Sequence, residues 1–171
     1  MIDASALLNA HGWRNAVLKP RISATAYGTI LLSTESEVTD DEISLIHQVG
    51  GFLQIFVPEI LSNGEMSLVF IHGKFSHAVQ KTPIPGDFRV QSDFGGTVTT
   101  AYPSPQILSF GYKIVQMIPG SWIYARVDII ETADGPLLIE LELIEPELFF
   151  RFSPEGADRM ATAVIDWMEN V

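Results

Sequence analysis

The sequence contains no cysteine, which excludes a disulfide framework, thiol catalysis and cysteine-ligated zinc. Basic residues are scarce: 10 Lys and Arg stand against 21 Asp and Glu, a formal net charge of −11. Nucleic acid is therefore not expected as a general partner, because neutralising phosphates needs clustered cations; a few local cations would still suffice for a nucleotide. No run approaches the roughly 20 apolar residues of a membrane-spanning helix, so no membrane partner is expected. Met1 leads into Ile2-Asp3-Ala4-Ser5 with neither a basic n-region nor a long apolar stretch, so no signal peptide is expected, and a cytoplasmic location fits the missing cysteines. The four histidines, His11, His47, His72 and His77, include no pair at the i, i+4 spacing of a zinc helix. Gly-x-Ser-x-Gly, Walker-type and Rossmann glycine patterns do not occur.

What is present is 171 residues with 47% apolar content, enough for one domain over residues 1–171 with a sizeable core. Helices are predicted over 3–11 with Asp3 as cap, over 40–49 behind the Thr39-x-x-Glu42 capping box, from Ser104-Pro105 to Met117, and from Ser153-Pro154 to Asn170. Strands are predicted over 16–19, 29–33, 52–57, 88–91 and, as a hairpin around His72-Gly73, over 65–72 and 74–81. The Gly-, Thr- and Pro-rich segment 93–105 reads as a mobile loop. Hairpins mixed with intervening helices predict an α+β fold with a largely antiparallel sheet flanked by helices. A doubly wound parallel arrangement ranks second, since it needs more regular strand–helix alternation.

Tyr124–Pro146 carries the densest chemistry. It reads as two strands joined by a turn at Ala133-Asp134-Gly135-Pro136. Side chains alternate between faces, which groups Val127, Ile129, Ile139, Leu141 and Leu143 on an apolar face and Arg126, Asp128, Glu140 and Glu142 on the other. Carboxylates on adjacent strands repel by roughly 1–4 kcal/mol per close pair. A hard divalent cation such as Mg²⁺, which prefers oxygen ligands, would remove that cost.

Other candidates are individually weaker. Lys19 ends a strand before Pro20 and could meet a phosphate as a point charge; Ser23–Gly28 offers N–H groups and hydroxyls to phosphates. A surface lysine and an ordinary loop fit those residues equally well. Gln54, Phe56 and Val57 suit an adenine edge and its apolar walls, or a plain core strand with one polar residue. Glu65 suits ribose hydroxyls, or a solvated turn. Lys81 and Arg89 add cations near Gly95-Gly96, where the backbone can be approached closely, or are solvated loop charges.

Taken in order, the pieces run Lys19-Pro20 with a small-residue loop, Gln54-x-Phe56-Val57, Gly64-Glu65-x-Ser67, Lys81, Gly86-Asp-Phe-Arg-Val-Gln91, Gly95-Gly96, Arg126-Val-Asp128 and Glu140-x-Glu142. This order resembles the ATP-grasp superfamily over about residues 14–150. The likeness is to the branch of bacterial glutathione synthetases and ribosomal-protein glutamate ligases and, in general character, the cycloserine-forming ligases. The resemblance implies an ATP-dependent carboxylate–amine ligase using ATP and Mg²⁺ on small-molecule carboxylate and amine substrates. It implies phosphate contact by Lys19, Ser23 and Lys81, adenine contact by Gln54, Phe56 and Val57, and ribose contact by Glu65. It implies charge stabilisation by Arg89 and Arg126, and Mg²⁺ ligation by Asp128, Glu140 and Glu142.

Two departures stand out. Glu142 replaces the asparagine of the usual Glu-x-Asn motif, and Phe94 and Thr97 replace basic residues beside the glycine pair. Complete members also carry an N-terminal domain and the first part of the nucleotide-binding domain before the Lys-Pro strand, so a fragment of a longer enzyme is expected, with apolar surface favouring a homo-oligomer. The alternative is a non-catalytic nucleotide-binding or assembly fragment.

Overall fold

The computed structural model describes residues 3–23, 26–36 and 38–169. The chain divides into two compact units, Met1–Pro58 and Glu59–Val171.

The first unit contains α1 (Ala4–His11), β1 (Ala16–Pro20), β2 (Ile30–Leu32), α2 (Asp40–Val49) and β3 (Gly51–Ile55). Asp3 caps α1 by accepting the Ala6 N–H at 2.9 Å, and the Thr39/Glu42 capping box opens α2. The strands form an antiparallel sheet in the order β2-β1-β3. Leu18, Leu32, Ile30 and Leu53 share one face and pack with Ala4 and Ile46. The opposite face carries Lys19 beside Phe52 and Val17 beside Gln54.

The second unit contains α3 (Glu59–Asn63), β4 (Glu65–Ile71), β5 (Lys74–Thr82), β6 (Thr97–Ala101), α4 (Pro105–Gln116), β7 (Tyr124–Thr132), β8 (Gly135–Glu142) and α5 (Pro154–Glu169). Its five strands are antiparallel in the order β6-β5-β4-β7-β8. The β4–β5 turn places both His72 (φ 48°) and Gly73 (φ 75°) in the left-handed region, as a two-residue primed turn requires. One sheet face packs Leu68, Phe70, Val127 and Ile129 with Ile107 and Val115 of α4. The other packs Val69, Ile71 and Val79 with Phe149 and with Ala163 of α5. Toward its far end this second face turns polar, because the same alternation brings up Glu65, Ser67, Lys81, Arg126 and Asp128, all buried.

The α+β expectation with antiparallel sheets holds. Several local expectations are corrected. No strand forms over 88–91: the Asp87 carboxylate accepts the N–H groups of Phe88 (2.7 Å) and Arg89 (2.9 Å), which curls the backbone away from a ladder. The expected loop 93–105 contains β6, whose β-branched run pairs with β5 from Thr82↔Thr97 to Ala78↔Ala101. Helix α3 was not predicted. Strand β3 ends at Ile55, leaving Phe56 and Val57 beyond it, and β2 spans only Ile30–Leu32. In the acidic hairpin the register shifts between Asp128 and Ile129, so that Ile129 faces Leu138 and Ile139 has no partner. This β-bulge puts Leu138, not Ile139, against the core, and Leu141 is 37% exposed. Asn170, the expected end of the last helix, and Ala24 and Thr25 of the small-residue loop lie outside the described residues.

Candidate functional site

The polar end of the second unit's sheet is assembled by strand register. Ser67 on β4 lies opposite Asp128 on β7, which lies opposite Glu140 on β8. One row along, Val69 faces Arg126 and Arg126 faces Glu142. In the other direction Glu65 faces Lys81 on β5. Six of the sequence candidates, Glu65, Lys81, Arg126, Asp128, Glu140 and Glu142, therefore share one patch of one face.

Asp128 is its centre. The side chain is fully buried, where an unpaired carboxylate would cost several kcal/mol. It accepts a hydrogen bond from Ser67 Oγ at 2.6 Å, from Lys81 Nζ at 3.2 Å, and from Arg126 through Nε (3.1 Å to each oxygen) and Nη2 (2.9 Å). Arg126 Nη2 also donates to Glu142, and its Nη1 reaches the Glu147 carbonyl at 3.3 Å. Lys81 pairs with Glu65 as well. Oxygens of Asp128, Glu140 and Glu142 all lie within 4.8 Å of one another. An all-oxygen donor set of this charge suits a hard divalent cation.

Lys81 and Arg126 pair with Glu65, Asp128 and Glu142, and the acidities of these three carboxylates divide accordingly. Burial pushes Asp128 up, but Lys81 and Arg126 outweigh it and hold the group below the usual range. Burial dominates at Glu65 and raises it to about 7, with Lys81 pulling it back and Asp128 adding to the rise. Burial and the neighbouring Asp128 and Glu140 likewise raise Glu142 against the pull of Arg126. Burial opposes the charge on Lys81, yet Glu65 and Asp128 hold it above the ordinary lysine value.

Arg89 sits apart from this network. Its guanidinium binds Asp87 through Nε (3.0 and 3.2 Å) and Nη2 (2.6 Å), and stacks 3.6 Å from the centre of the Phe94 ring. Asp87 is held at about 2, chiefly by these Arg89 hydrogen bonds. The backbone is tight here: a Cβ at Gly96 would fall 2.2 Å from the Val90 carbonyl oxygen.

The remaining candidates, Lys19, Ser23, Gln54, Phe56 and Val57, belong to the first unit. Lys19 and Gln54 are half-buried on the sheet face opposite its helices. Ser23 donates to the Tyr27 carbonyl at 2.5 Å, and the Phe56 N–H bonds the Asn15 carbonyl at 3.1 Å. Glu65 is not a solvated turn residue but the buried first residue of β4. Sequence reasoning missed Ser67 as a partner of Asp128; its signal was the period-two spacing from Glu65. It also missed Asp87 as the residue that holds Arg89.

With antiparallel α+β architecture and an acidic, cation-braced sheet face, the fold is that of the ATP-grasp ligases. The chain superposes on the crystal structure of D-cycloserine synthetase DcsG with a TM-score of 0.72 and 24% identity, covering 96% of this chain and 61% of that one. It superposes on the ATP-grasp ligase PsnB, solved with a precursor variant, Mg and ADP, with a TM-score of 0.60 and 17% identity, covering 94% of this chain and 51% of that one. In sequence it is similar to the cycloserine biosynthesis protein DcsG of Streptomyces lavendulae, at 31% identity over 128 residues, 67% of this chain and 41% of that protein. It is also similar to a probable alpha-L-glutamate ligase of Shewanella halifaxensis (strain HAW-EB4), at 26% identity over 170 residues, 98% of this chain and 36% of that protein. The chain thus spans about two-fifths of the length of the curated relatives it matches. No protein-family model matches it. Among the described residues no helix is long and apolar enough to cross a membrane.

Proposed function

We propose that this chain is the ATP-binding part of an ATP-dependent carboxylate–amine ligase. The observation that carries the reading is the convergence of Asp128, Glu140 and Glu142 on a sheet face braced by Arg126 and Lys81. Similarity to a probable alpha-L-glutamate ligase supports it.

In this reaction a substrate carboxylate oxygen attacks the γ-phosphorus of ATP, the bond to the bridging oxygen breaks, and an acyl phosphate and ADP result. An amine then attacks the acyl carbon, loses a proton and expels phosphate, leaving an amide. Asp128, Glu140 and Glu142 would hold Mg²⁺, which supplies charge neutralisation at the phosphate oxygens. Arg126 and Arg89 act where negative charge accumulates, and losing one such preorganised donor costs on the order of 3–4 kcal/mol in comparable sites. Lys81 in the second unit, and Lys19 and Ser23 in the first, are each assigned phosphate contact, the lysines as point charges. Gln54, Phe56 and Val57 receive adenine, and Glu65 the ribose. The protein's part is positioning and electrostatics, not covalent chemistry.

The test is calorimetric titration of the chain with ATP, with and without Mg²⁺, alongside Glu140→Gln. Saturable binding that needs Mg²⁺ and disappears in the variant is expected. Metal-independent binding, or unchanged binding by Glu140→Gln, would refute the assignment.

A further inference from the structure

We infer that Arg126 is the resident counter-ion of the carboxylate cluster and must be exchanged for the divalent cation, so that its guanidinium becomes available to an anionic substrate only after metal has bound. The inference deepens the proposed function and rests on the metal reading given there.

A carboxylate offers about four lone-pair positions. At Asp128 four donors fill them: Ser67 Oγ, Lys81 Nζ, and Nε and Nη2 of Arg126. The same Nη2 holds Glu142. One guanidinium therefore binds two of the three carboxylates whose oxygens lie within 4.8 Å of one another. Arg126 spans the cluster as a cation would, and Asp128 gains no further partner unless a present one lets go.

Among its partners, Ser67 and Lys81 have reasons to stay. Ser67 is fully buried and directly opposite Asp128 across the β4–β7 ladder. Lys81 is anchored independently by Glu65. Arg126 has somewhere else to go: its Nη1 already points at the Glu147 carbonyl, and its guanidinium carbon is 5.8 Å from the Phe149 ring centre. Glu142 has the most freedom of its partners, with a side chain 32% exposed against 0% for Asp128. Release of Arg126 from Glu142 and Asp128 together frees an oxygen of each for the metal and the Nε–Nη2 edge of the guanidinium for an anion. An asparagine at position 142 would carry no charge and hold Arg126 far less tightly. The glutamate thus makes the exchange a feature of this chain, and it orders binding: metal first, anionic substrate second.

The probe is Mn²⁺ alone, titrated into the nucleotide-free chain and followed by electron paramagnetic resonance of the free ion. The variants are Arg126→Lys, Lys81→Met and Glu140→Gln. Lysine keeps the charge but cannot bridge two carboxylates with a planar fork. Arg126→Lys is expected to bind Mn²⁺ about ten- to a hundredfold more tightly than wild type, the equivalent of one charge-assisted hydrogen bond no longer surrendered. Lys81→Met, which removes a positive charge without touching Glu142, is expected to gain less, and Glu140→Gln to lose binding. Wild-type binding with Arg126→Lys unchanged or weaker would overturn the exchange while leaving the metal assignment standing. No Mn²⁺ binding by any form would overturn the metal assignment and the exchange with it. Should Arg126→Lys fail to fold, arginine Nε–Hε resonances of the wild type decide. Mg²⁺ is expected to expose one strongly protected arginine signal to exchange, and a full set of unchanged signals at saturating metal would refute the inference.

Discussion

Replacing Glu65 by glutamine is expected to make the second unit more stable at neutral pH and to remove a pH dependence that runs opposite to that of most carboxylates. Glu65 is buried, and its folded-state pKa of about 7 lies above the ordinary 4.5. Between those values the native state binds more protons than the unfolded one, so stability falls as pH rises. The contribution is fully present below about 4.5 and is lost as pH climbs through about 7. From about pH 5 to about pH 8 the linkage integral amounts to roughly 2–3 kcal/mol. Glutamine is nearly isosteric, cannot ionise, and keeps an oxygen for Lys81, whose charge still has Asp128 at 3.2 Å. Urea unfolding of the nucleotide-free protein, followed by tryptophan fluorescence at each pH, measures the difference between variant and wild type. That difference is expected to widen in favour of Glu65→Gln by roughly 2–3 kcal/mol over this range. A difference that stays constant, or shrinks as pH rises, would show that Lys81 keeps Glu65 ionised throughout and that burial does not dominate.

Further expectations rest on separate contacts. A Cβ at Gly111 would lie 2.6 Å from Leu68 Cδ1 and 3.0 Å from Phe70 Cζ, so Gly111→Ala should overpack the α4 interface and lower stability by about 1–3 kcal/mol in thermal unfolding. His77 lies between Ser76 Oγ at 3.0 Å and the Leu148 carbonyl at 2.7 Å; burial lowers its pKa below 6.5, Leu148 opposes and Arg159 assists. Its contribution is present above about pH 6.5 and lost as pH falls through the folded value, so His77→Gln should flatten the acid limb of the unfolding profile relative to wild type. Asp87, held at about 2 by Arg89, contributes stability above the ordinary value of 3.8 that is lost as pH falls toward 2. Asp87→Asn should abolish that acid limb and sharpen hydrogen exchange at Phe88 and Arg89, with slowed exchange arguing against the turn as drawn.

The sequence showed what depends on local period and missed what depends on partners. Alternation in β4, β5 and β7 placed Glu65, Lys81, Arg126 and Asp128 on strands, and register then set them side by side. Cap chemistry marked α1, α2 and α4 because the signals lie within four residues of the helix start. Strand β6 was hidden by its flanks: Gly95-Gly96 and Pro103 signalled a loop, and only the β5 edge makes Thr97–Ala101 extended. The bulge at Asp128/Ile129 was illegible because Ile139 is as apolar as Leu138, and nothing local says which one faces inward. Arg126 presents the same problem in charge. The sequence put it on the face of Glu142, but that it binds Asp128 and Glu142 together follows only from the strand register and burial of the folded sheet.

That burial also supports the proposed functional role of the network. Replacing a buried ionic cluster by packed apolar residues is often neutral or stabilising by 1–4 kcal/mol, whereas removing one member is costly. Here the same sheet face already has an apolar solution at its other end, where Val69, Ile71 and Val79 pack with Phe149 and Ala163. Extending that packing by two rows would have required only ordinary β-branched residues at Glu65, Ser67, Lys81, Arg126 and Asp128. Instead the chain holds Glu65 in a place that raises it to about 7. The oxygens of Asp128, Glu140 and Glu142 within 4.8 Å of one another fit the proposal that a positive ligand completes this face.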